Sequence, residues 1–303
     1  MTLPSGIIAP ILTPFKGDMS LALDLYVPHA LALLKGGCAG LSPFGTTGEA
    51  LSVASAERLV AIKALIDGGV DPAKLVPGTG LTNLPETAAL SRACLDMGCA
   101  AVMVLPPFYY KGMDEQGHYN YFAALIAAIG DDARIVLYHI PQVAGVGIPV
   151  TLAARLRADF PQQIVGIKDS SGDWENTSAL LEIDGLAVFP GSELPLMEAL
   201  ALGARGCITA TANINPGGLG TAFAQFIGGD LPAARASHAV NSALRLIVQA
   251  GKPISDMKRL LALAQAEPRW ANVRPPLLPS DTKLGGELRQ RLLQEFNLPL
   301  LAG

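Results

Sequence analysis

Lys168 is the residue whose type and setting best suit covalent chemistry. It directly follows the apolar run Ile164-Val-Gly-Ile167 and therefore lies at the carboxyl end of a predicted buried strand. Burial disfavours the charged form of an amine, and a neutral lysine can attack a carbonyl carbon to give a Schiff base. The alternative interpretation is a structural ion pair with Asp169, and on position alone both remain open.

The other lysines have surroundings that predict solvent exposure. Lys74 begins another predicted strand, whereas the catalytic groups of parallel α/β proteins are expected where a strand ends. The rest fall in predicted loops or among polar helix neighbours: Lys16, Lys35, Lys63, Lys111, Lys252, Lys258 and Lys283. Lys168 is thus the candidate nucleophile.

Two further patterns could support a Schiff base. Tyr138 lies near the end of another apolar strand, where its phenol could move protons; the alternative is a core aromatic whose hydroxyl bonds a backbone carbonyl. The segment Gly45-Thr-Thr-Gly-Glu49 offers two hydroxyls between glycines before a helix, which suits a carboxylate. Alone, that segment is equally a turn with a helix start. The aromatic loop Pro106-Pro-Phe-Tyr-Tyr-Lys111 is open to interpretation as a packing or interface element.

Eight short apolar runs could position these residues, and most are followed by a segment of helical period. Such a βα repeat predicts an α/β protein, a (β/α)8 TIM barrel, whose catalytic groups lie at the carboxyl ends of the strands. An open doubly wound sheet is the competing architecture. The predicted strands are 7–13, 39–44, 74–79, 100–105, 134–140, 164–169, 187–191 and 206–211.

The repeat gives way to consecutive helices near residue 230. They are separated by Gly251-Lys-Pro253 and by the proline-rich Arg274-Pro-Pro-Leu-Leu-Pro279. We therefore predict a catalytic barrel over residues 1–229 and a small C-terminal helical extension over residues 230–303.

Composition limits the classes of partner. The 303 residues are 50% hydrophobic and 16% charged, which favours a large core and further apolar surface buried between subunits. A net charge of −4 without a basic run argues against nucleic acid or an anionic membrane. Because the chain lacks a signal-like start and an apolar run of about 18 residues, we expect a cytoplasmic protein. The four cysteines have no CxxC spacing and are interpreted as buried, reduced thiols.

Metal and nicotinamide chemistry have little support in the sequence. The four histidines, His29, His118, His139 and His238, show no paired spacing. Only His139 is near the predicted rim, and its adjacency to Tyr138 on a strand should point it the opposite way. The segment Gly78-Thr-Gly-Leu-Thr-Asn83 lacks the third glycine of a dinucleotide-binding fingerprint.

Three motifs together resemble the dihydrodipicolinate synthase and N-acetylneuraminate lyase family of class I, pyruvate-dependent aldolases. They are the Gly45–Glu49 segment, Tyr138-His-Ile-Pro141 and Val165-Gly-Ile-Lys-Asp169, and their order and spacing agree with the family. The resemblance implies that Lys168 condenses with a 2-oxo acid such as pyruvate, forming a covalent imine that needs no cofactor.

The same resemblance assigns the remaining roles. Thr46 and Thr47 would hold the substrate carboxylate, and Tyr138 would act as general acid and base. Tyr110 matches a tyrosine that a neighbouring subunit inserts into a proton relay through Thr47, which implies at least a dimer and a tetramer built as a dimer of dimers. Gly191 and Ile208 match positions that line the pocket.

The chain departs from the family where the second substrate binds. Val143 stands where synthases place an arginine that clamps a carboxylate, and valine offers neither charge nor donor. Thr46 and the Gly191-Ser-Glu193 segment differ from the sialic acid lyase pattern. The remaining branch acts on 2-keto-3-deoxy sugar acids and related 4-hydroxy-2-oxo acids, with Ser170, Ser192, Glu193 and Gln142 available for hydroxyls.

We therefore predict a lyase that joins or separates pyruvate and an aldehyde. Tyr138 would take the C4 hydroxyl proton while the imine accepts the electrons of the C3–C4 bond. Three alternatives remain: dihydrodipicolinate synthase proper, which Val143 disfavours; a Schiff-base dehydratase or deaminase; and a non-catalytic barrel that binds sugar acids.

Overall fold

Strands and helices alternate along most of the chain. A computed structural model describes residues 2–296 and 298, and within them it contains seven strands and twelve α-helices. The strands are β1 Gly6–Ala9, β2 Gly40–Leu41, β3 Val102–Val104, β4 Ile135–His139, β5 Ile164–Asp169, β6 Ala187–Pro190 and β7 Gly206–Ile208. The helices are α1 Leu23–Lys35, α2 Ser55–Asp67, α3 Leu84–Asp96, α4 Glu115–Ile129, α5 Pro141–Ala144, α6 Val150–Asp159, α7 Trp174–Leu181, α8 Leu196–Ala201, α9 Pro216–Ile227, α10 Leu231–Gln249, α11 Pro253–Ala264 and α12 Thr282–Glu295.

The contacts of the chain group into two compact units. The first comprises the residues up to Ile8 together with Ala39–Pro43 and Asp71–Thr209, and it holds nearly all of the strand residues. The second comprises Ala9–Cys38, Phe44–Val70 and the chain from Ala210 onward. The division predicted at residue 229 stays a prediction.

The strands of the first unit form a closed parallel ring. One sheet has the order β2-β1-β7 and the other the order β3-β4-β5-β6, and their registered pairs are parallel. The β6 and β7 sides meet where Arg205 N donates to Val188 O at 3.0 Å. Parallel strands joined by helical crossovers are the signature of the predicted (β/α)8 barrel.

The third predicted strand, 74–79, takes its place in the ring without regular ladder pairing. Val76 N donates to Leu41 O at 2.9 Å on one side, and Met103 N donates to Pro77 O at 2.8 Å on the other. Only single bridges form on each side, and Pro77 has no N–H to extend them. The prediction of a regular strand here is wrong, although the segment still links β2 to β3.

Alternation along the strands separates the ring interior from its outer face. Val136, Tyr138, Phe189 and Ile208 belong to one buried cluster, and side chains two residues apart on a strand share a face. Every residue of β4 is buried, as expected for a parallel strand covered on both sides. Tyr138 therefore faces the interior, whereas its neighbour His139 faces the outside.

The second unit has its own core, built largely by the C-terminal helices. Trp270, Leu260 and Leu261 are fully buried together with Leu12 and Ile214 from earlier in the chain. None of the helices in the described part of the chain is long and apolar enough to cross a membrane. Cys38, Cys94, Cys99 and Cys207 are all buried, as the sequence predicted, and they form no disulfide with one another.

The seam between β1 and β7 depends on a glycine. Gly206 has φ +146° and pairs with Gly6, and a Cβ at Gly206 would collide with Gly6 O. We expect Gly206→Ala to lower the free energy of unfolding by about 3 kcal/mol or more, because the clash adds to the backbone strain. Gly203→Ala is the matched control, since Gly203 has φ +94° but open space around it, and should cost only about 1–2 kcal/mol. Urea denaturation compares them, and equal losses would contradict the clash.

Candidate active site

Lys168 and Tyr138 meet at the carboxyl ends of two neighbouring strands. In the register of β4 and β5, Tyr138 lies directly opposite Lys168. Both are buried, with 3% of Tyr138 and 4% of Lys168 exposed. Lys168 Nζ donates to Tyr138 Oη at 3.3 Å and lies 4.4 Å from the centre of the tyrosine ring. A buried amine thus contacts a phenol that can exchange protons with it.

Asp169 is not the partner of Lys168. Its carboxylate accepts hydrogen bonds from Thr177 Oγ1 at 2.6 Å, Asn176 Nδ2 at 3.0 Å and Ser171 N at 2.9 Å. Adjacent residues of a strand point to opposite faces, so Lys168 faces the ring interior while Asp169 faces helix α7. The alternative interpretation of Lys168 as the partner of Asp169 in an ion pair is therefore wrong.

His139 lies on the outer face, as its adjacency to Tyr138 predicted. It is opposite Asp169 in the register, and His139 Nδ1 accepts a hydrogen bond from Ile148 N at 2.8 Å. Burial lowers the pKa of His139, so the ring is neutral at physiological pH. No group of three His, Cys, Asp or Glu side chains suited to a metal occurs among residues 2–296 and 298.

The segments after β5 and β6 approach each other closely. Gly191 N donates to Asp169 O at 2.6 Å, and a Cβ at Gly191 would collide with Ser170 Oγ. Gln142, just after β4, donates through Nε2 to Ser170 O at 2.6 Å. The structure therefore brings Ser170, Gly191 and Gln142 together, beside the strand that carries Lys168.

Ile208 and Glu193, two of the predicted substrate-binding residues, are both buried and already contact other side chains. Ile208 belongs to the same buried cluster as Tyr138, so it packs within the ring interior. Glu193 is fully buried, and its carboxylate accepts a hydrogen bond from the Thr209 hydroxyl. Thr209 was missed by sequence reasoning; the available signal was a hydroxyl within the predicted eighth strand. Any substrate hydroxyl at Glu193 would have to share the carboxylate with Thr209.

Tyr110 extends from the loop after β3 into solvent. It is 66% exposed, Tyr109 is 76% exposed, and their rings meet edge to face with centres 5.7 Å apart. An exposed aromatic pair is unusual on a free surface and typical of a surface that another molecule covers.

Thr46 and Thr47 form part of a tight turn in the second unit. Gly48 N donates to Gly45 O at 3.0 Å, and Glu49 N donates to Thr46 O at 3.1 Å. Thr46 is exposed and Thr47 half-buried. The turn predicted from the glycines is confirmed, and it leads into a short 3-10 helix, Ala50–Ser52, ahead of α2.

Known proteins resemble the chain over nearly its full length. Residues 3–295 match the sequence model of the dihydrodipicolinate synthetase family. An uncharacterized DapA-like lyase of Chloroflexus aurantiacus is 40% identical over 292 residues, which covers 95% of this chain and 96% of that protein.

Two solved structures share the architecture. Dihydrodipicolinate synthase from Agrobacterium tumefaciens str. C58 has a TM-score of 0.88 and 32% identity, covering 96% of this chain and 99% of that chain. YagE, a prophage protein of the dihydrodipicolinic acid synthase family from E. coli K12 in complex with pyruvate, has a TM-score of 0.87 and 25% identity, covering 96% and 98%.

The fold and these comparisons define the class of protein as a (β/α)8-barrel lyase. The chain belongs to the dihydrodipicolinate synthetase family, within the class I pyruvate-dependent aldolases. Both statements confirm what the three sequence motifs predicted.

Proposed function

We propose that this lyase forms a Schiff base through Lys168 and makes or breaks a carbon–carbon bond between pyruvate and an aldehyde. The observation that carries the proposal is the buried contact of 3.3 Å between Lys168 Nζ and Tyr138 Oη. A buried amine with a neighbouring proton carrier is what imine chemistry requires. The related YagE structure contains pyruvate, which supports the first half of the substrate.

The proposed cleavage uses one proton carrier and one electron sink. The Lys168 amine adds to the C2 carbonyl, and loss of water leaves a protonated imine. Tyr138 then takes the C4 hydroxyl proton as the C3–C4 bond breaks, the aldehyde leaves, and the bond electrons move to the imine nitrogen to give an enamine. Protonation at C3 and hydrolysis release pyruvate and restore Lys168. No metal or separate cofactor takes part.

Other residues complete the proposal. Thr46 and Thr47 bind the substrate carboxylate, and Tyr110 of a second subunit joins the proton relay through Thr47. The exposed ring of Tyr110 supports this role. We propose a cytoplasmic homotetramer, a dimer of dimers, and light scattering during size-exclusion chromatography measures its mass.

For the second half of the substrate we propose a 2-keto-3-deoxy sugar acid or a related 4-hydroxy-2-oxo acid. Val143 is 61% exposed just after β4 and provides no cation for a second carboxylate. The polar groups after β5 and β6, among them Ser170 and Ser192, suit hydroxyls instead.

The second candidate is dihydrodipicolinate synthase proper, the activity named for the Agrobacterium relative. The 32% identity to that relative favours this activity, whereas Val143 opposes it, because valine offers no positive charge for a second carboxylate. Rapid turnover of pyruvate with aspartate semialdehyde would establish it and contradict our interpretation of Val143.

Trapping with borohydride tests the Schiff base directly. With pyruvate and borohydride, we expect a stable adduct on Lys168. Its added mass should be that of pyruvate minus one water plus two hydrogen atoms. Peptide mass spectrometry locates it, and Lys168→Arg is the control that should carry none. A wild-type protein without an adduct would leave only the non-catalytic binding role.

A substrate screen then distinguishes carbon–carbon bond cleavage from loss of water or ammonia, the other reactions that an imine on Lys168 would allow. Sugar acids of the 2-keto-3-deoxy class are incubated with the enzyme, and released pyruvate is measured with lactate dehydrogenase. We expect stoichiometric pyruvate and aldehyde. Consumption of substrate without pyruvate would indicate a dehydratase or deaminase.

A further inference from the structure

Lys258 is fully buried, although its position among helix residues predicted a solvated side chain. It lies in helix α11, and its Nζ donates to Glu49 Oε1 at 2.5 Å and to Thr13 O at 2.7 Å. Both side chains of this ion pair are 0% exposed. The prediction of a solvated Lys258 is wrong, because the helix presents this residue to the core of the second unit.

The other oxygen of Glu49 is also held. Arg274 N donates to Glu49 Oε2 at 3.0 Å, and the Arg274 guanidinium binds Glu57 at 2.6 Å. The ring of Phe15 lies 4.5 Å from Lys258 Nζ and 4.6 Å from Arg274 Cζ. We call Glu49, Lys258, Arg274, Thr13 and Phe15 the Glu49 cluster.

The Glu49 cluster fixes the end of the turn that contains Thr46 and Thr47. Glu49 has φ +55°, in the left-handed region that residues with a side chain adopt only when their surroundings hold them there. Thr13 Oγ1 donates to Gly48 O at 2.7 Å, one residue earlier. Three of the five cluster residues thus contact Glu49 or its neighbour directly.

Stability alone is a poor explanation for this arrangement. Replacing a buried ion pair by apolar residues of similar volume is often neutral or stabilising, because two charges must be removed from water. Burial lowers the pKa of Lys258 to about 8 while Glu49 opposes that shift, so the side chain is an ammonium at neutral pH. A costly charged pair that is nevertheless present suits a positioning role.

We infer that Lys258 and Arg274 are positioning residues that act through Glu49 to hold the Thr46–Thr47 turn in the shape that binds the carboxylate of the 2-oxo acid. This inference rests on the proposed function. It assigns the C-terminal part of the chain a role in carboxylate recognition. Lys258 and Glu49 are 209 residues apart in the sequence.

The test compares pyruvate with pyruvamide, its neutral amide, in borohydride trapping. The variants are Lys258→Met and the double variant Lys258→Met/Glu49→Leu, which removes both charges and keeps the site filled. Lys283→Met is the control, because the Lys283 side chain is 85% exposed. Thr47→Val serves as the reference for direct loss of a carboxylate contact.

We expect the pyruvate concentration for half-maximal trapping to rise roughly tenfold or more in both cluster variants and in Thr47→Val, because a contact to a charged group is misplaced or lost. In the two cluster variants, the pyruvamide concentration for half-maximal trapping should stay unchanged, because the neutral amide presents no charge to the turn. The double variant keeps the test decisive if Lys258→Met alone does not fold.

Wild-type affinity for pyruvate in the folded double variant would overturn the inference, as would an equal loss for pyruvate and pyruvamide. The second result would indicate a general structural role. A wild-type protein that forms no adduct on Lys168 would instead overturn the proposed function, so the two failures are distinguishable.

Discussion

Lys168→Met is expected to lower kcat/KM by about 10⁴-fold or more, because removal of a covalent nucleophile leaves no route to the imine. The free energy of unfolding should stay the same or rise. Methionine fills the buried volume without the cost of burying an amine. Pyruvate release and thermal unfolding measure the two effects in the same preparation.

Lys74→Met is the matched control for this variant. Lys74 is an exposed lysine of the same unit, at the end of a short 3-10 helix, Pro72–Lys74. We expect its kcat/KM to equal that of the wild type. Pyruvate release by Lys168→Met at more than a few per cent of the wild-type rate would show that another group forms the intermediate.

Tyr138→Phe is expected to lower kcat by about 10²- to 10⁴-fold, the usual contribution of a general acid–base group. The phenylalanine ring keeps the packing of Tyr138 against the ring interior, so unfolding should change little. Steady-state assays on the cleaved substrate measure kcat, and borohydride trapping reports imine formation separately.

Tyr26→Phe is the control for loss of a buried phenol, because Tyr26 Oη is buried and makes no hydrogen bond in the described part of the chain. Its kcat should be unchanged. A kcat for Tyr138→Phe within threefold of the wild type would assign the proton transfer to another residue.

The sequence predicted that Lys168 and Tyr138, the proposed catalytic pair, lie near strand ends, because the signals for this are local. A lysine after Val165-Gly-Ile and a tyrosine near the end of the preceding strand are both visible in short apolar runs, and neighbouring parallel strands bring their carboxyl ends together. Which residues lie opposite each other depends on the register between β4 and β5. That register includes a shift near Ile135 that no local pattern encodes.

Lys258 was mispredicted because its environment is set from far along the chain. Helical spacing places Lys258 beside Leu261 and Ala262, which follow it by three and four residues and are buried, and this was a weak signal of burial. Its partner Glu49 lies in a turn after β2, and only the fold reveals that contact. The irregular pairing of the segment 74–79 could not be predicted either, because its hydrogen bonds depend on the positions of β2 and β3 on its two sides.

Asp169 is held by residues outside the ring, so the residues that position Lys168 are different from those proposed to select the aldehyde. Asn176 and Thr177 of helix α7 hold the Asp169 carboxylate, and the preceding residue, Lys168, is thereby placed without help from any substrate. A directed library for new aldehydes should therefore keep these four residues and randomise Gln142, Val143 and Ser192. Diversity introduced there would explore new acceptors while Lys168, the proposed nucleophile, keeps its position.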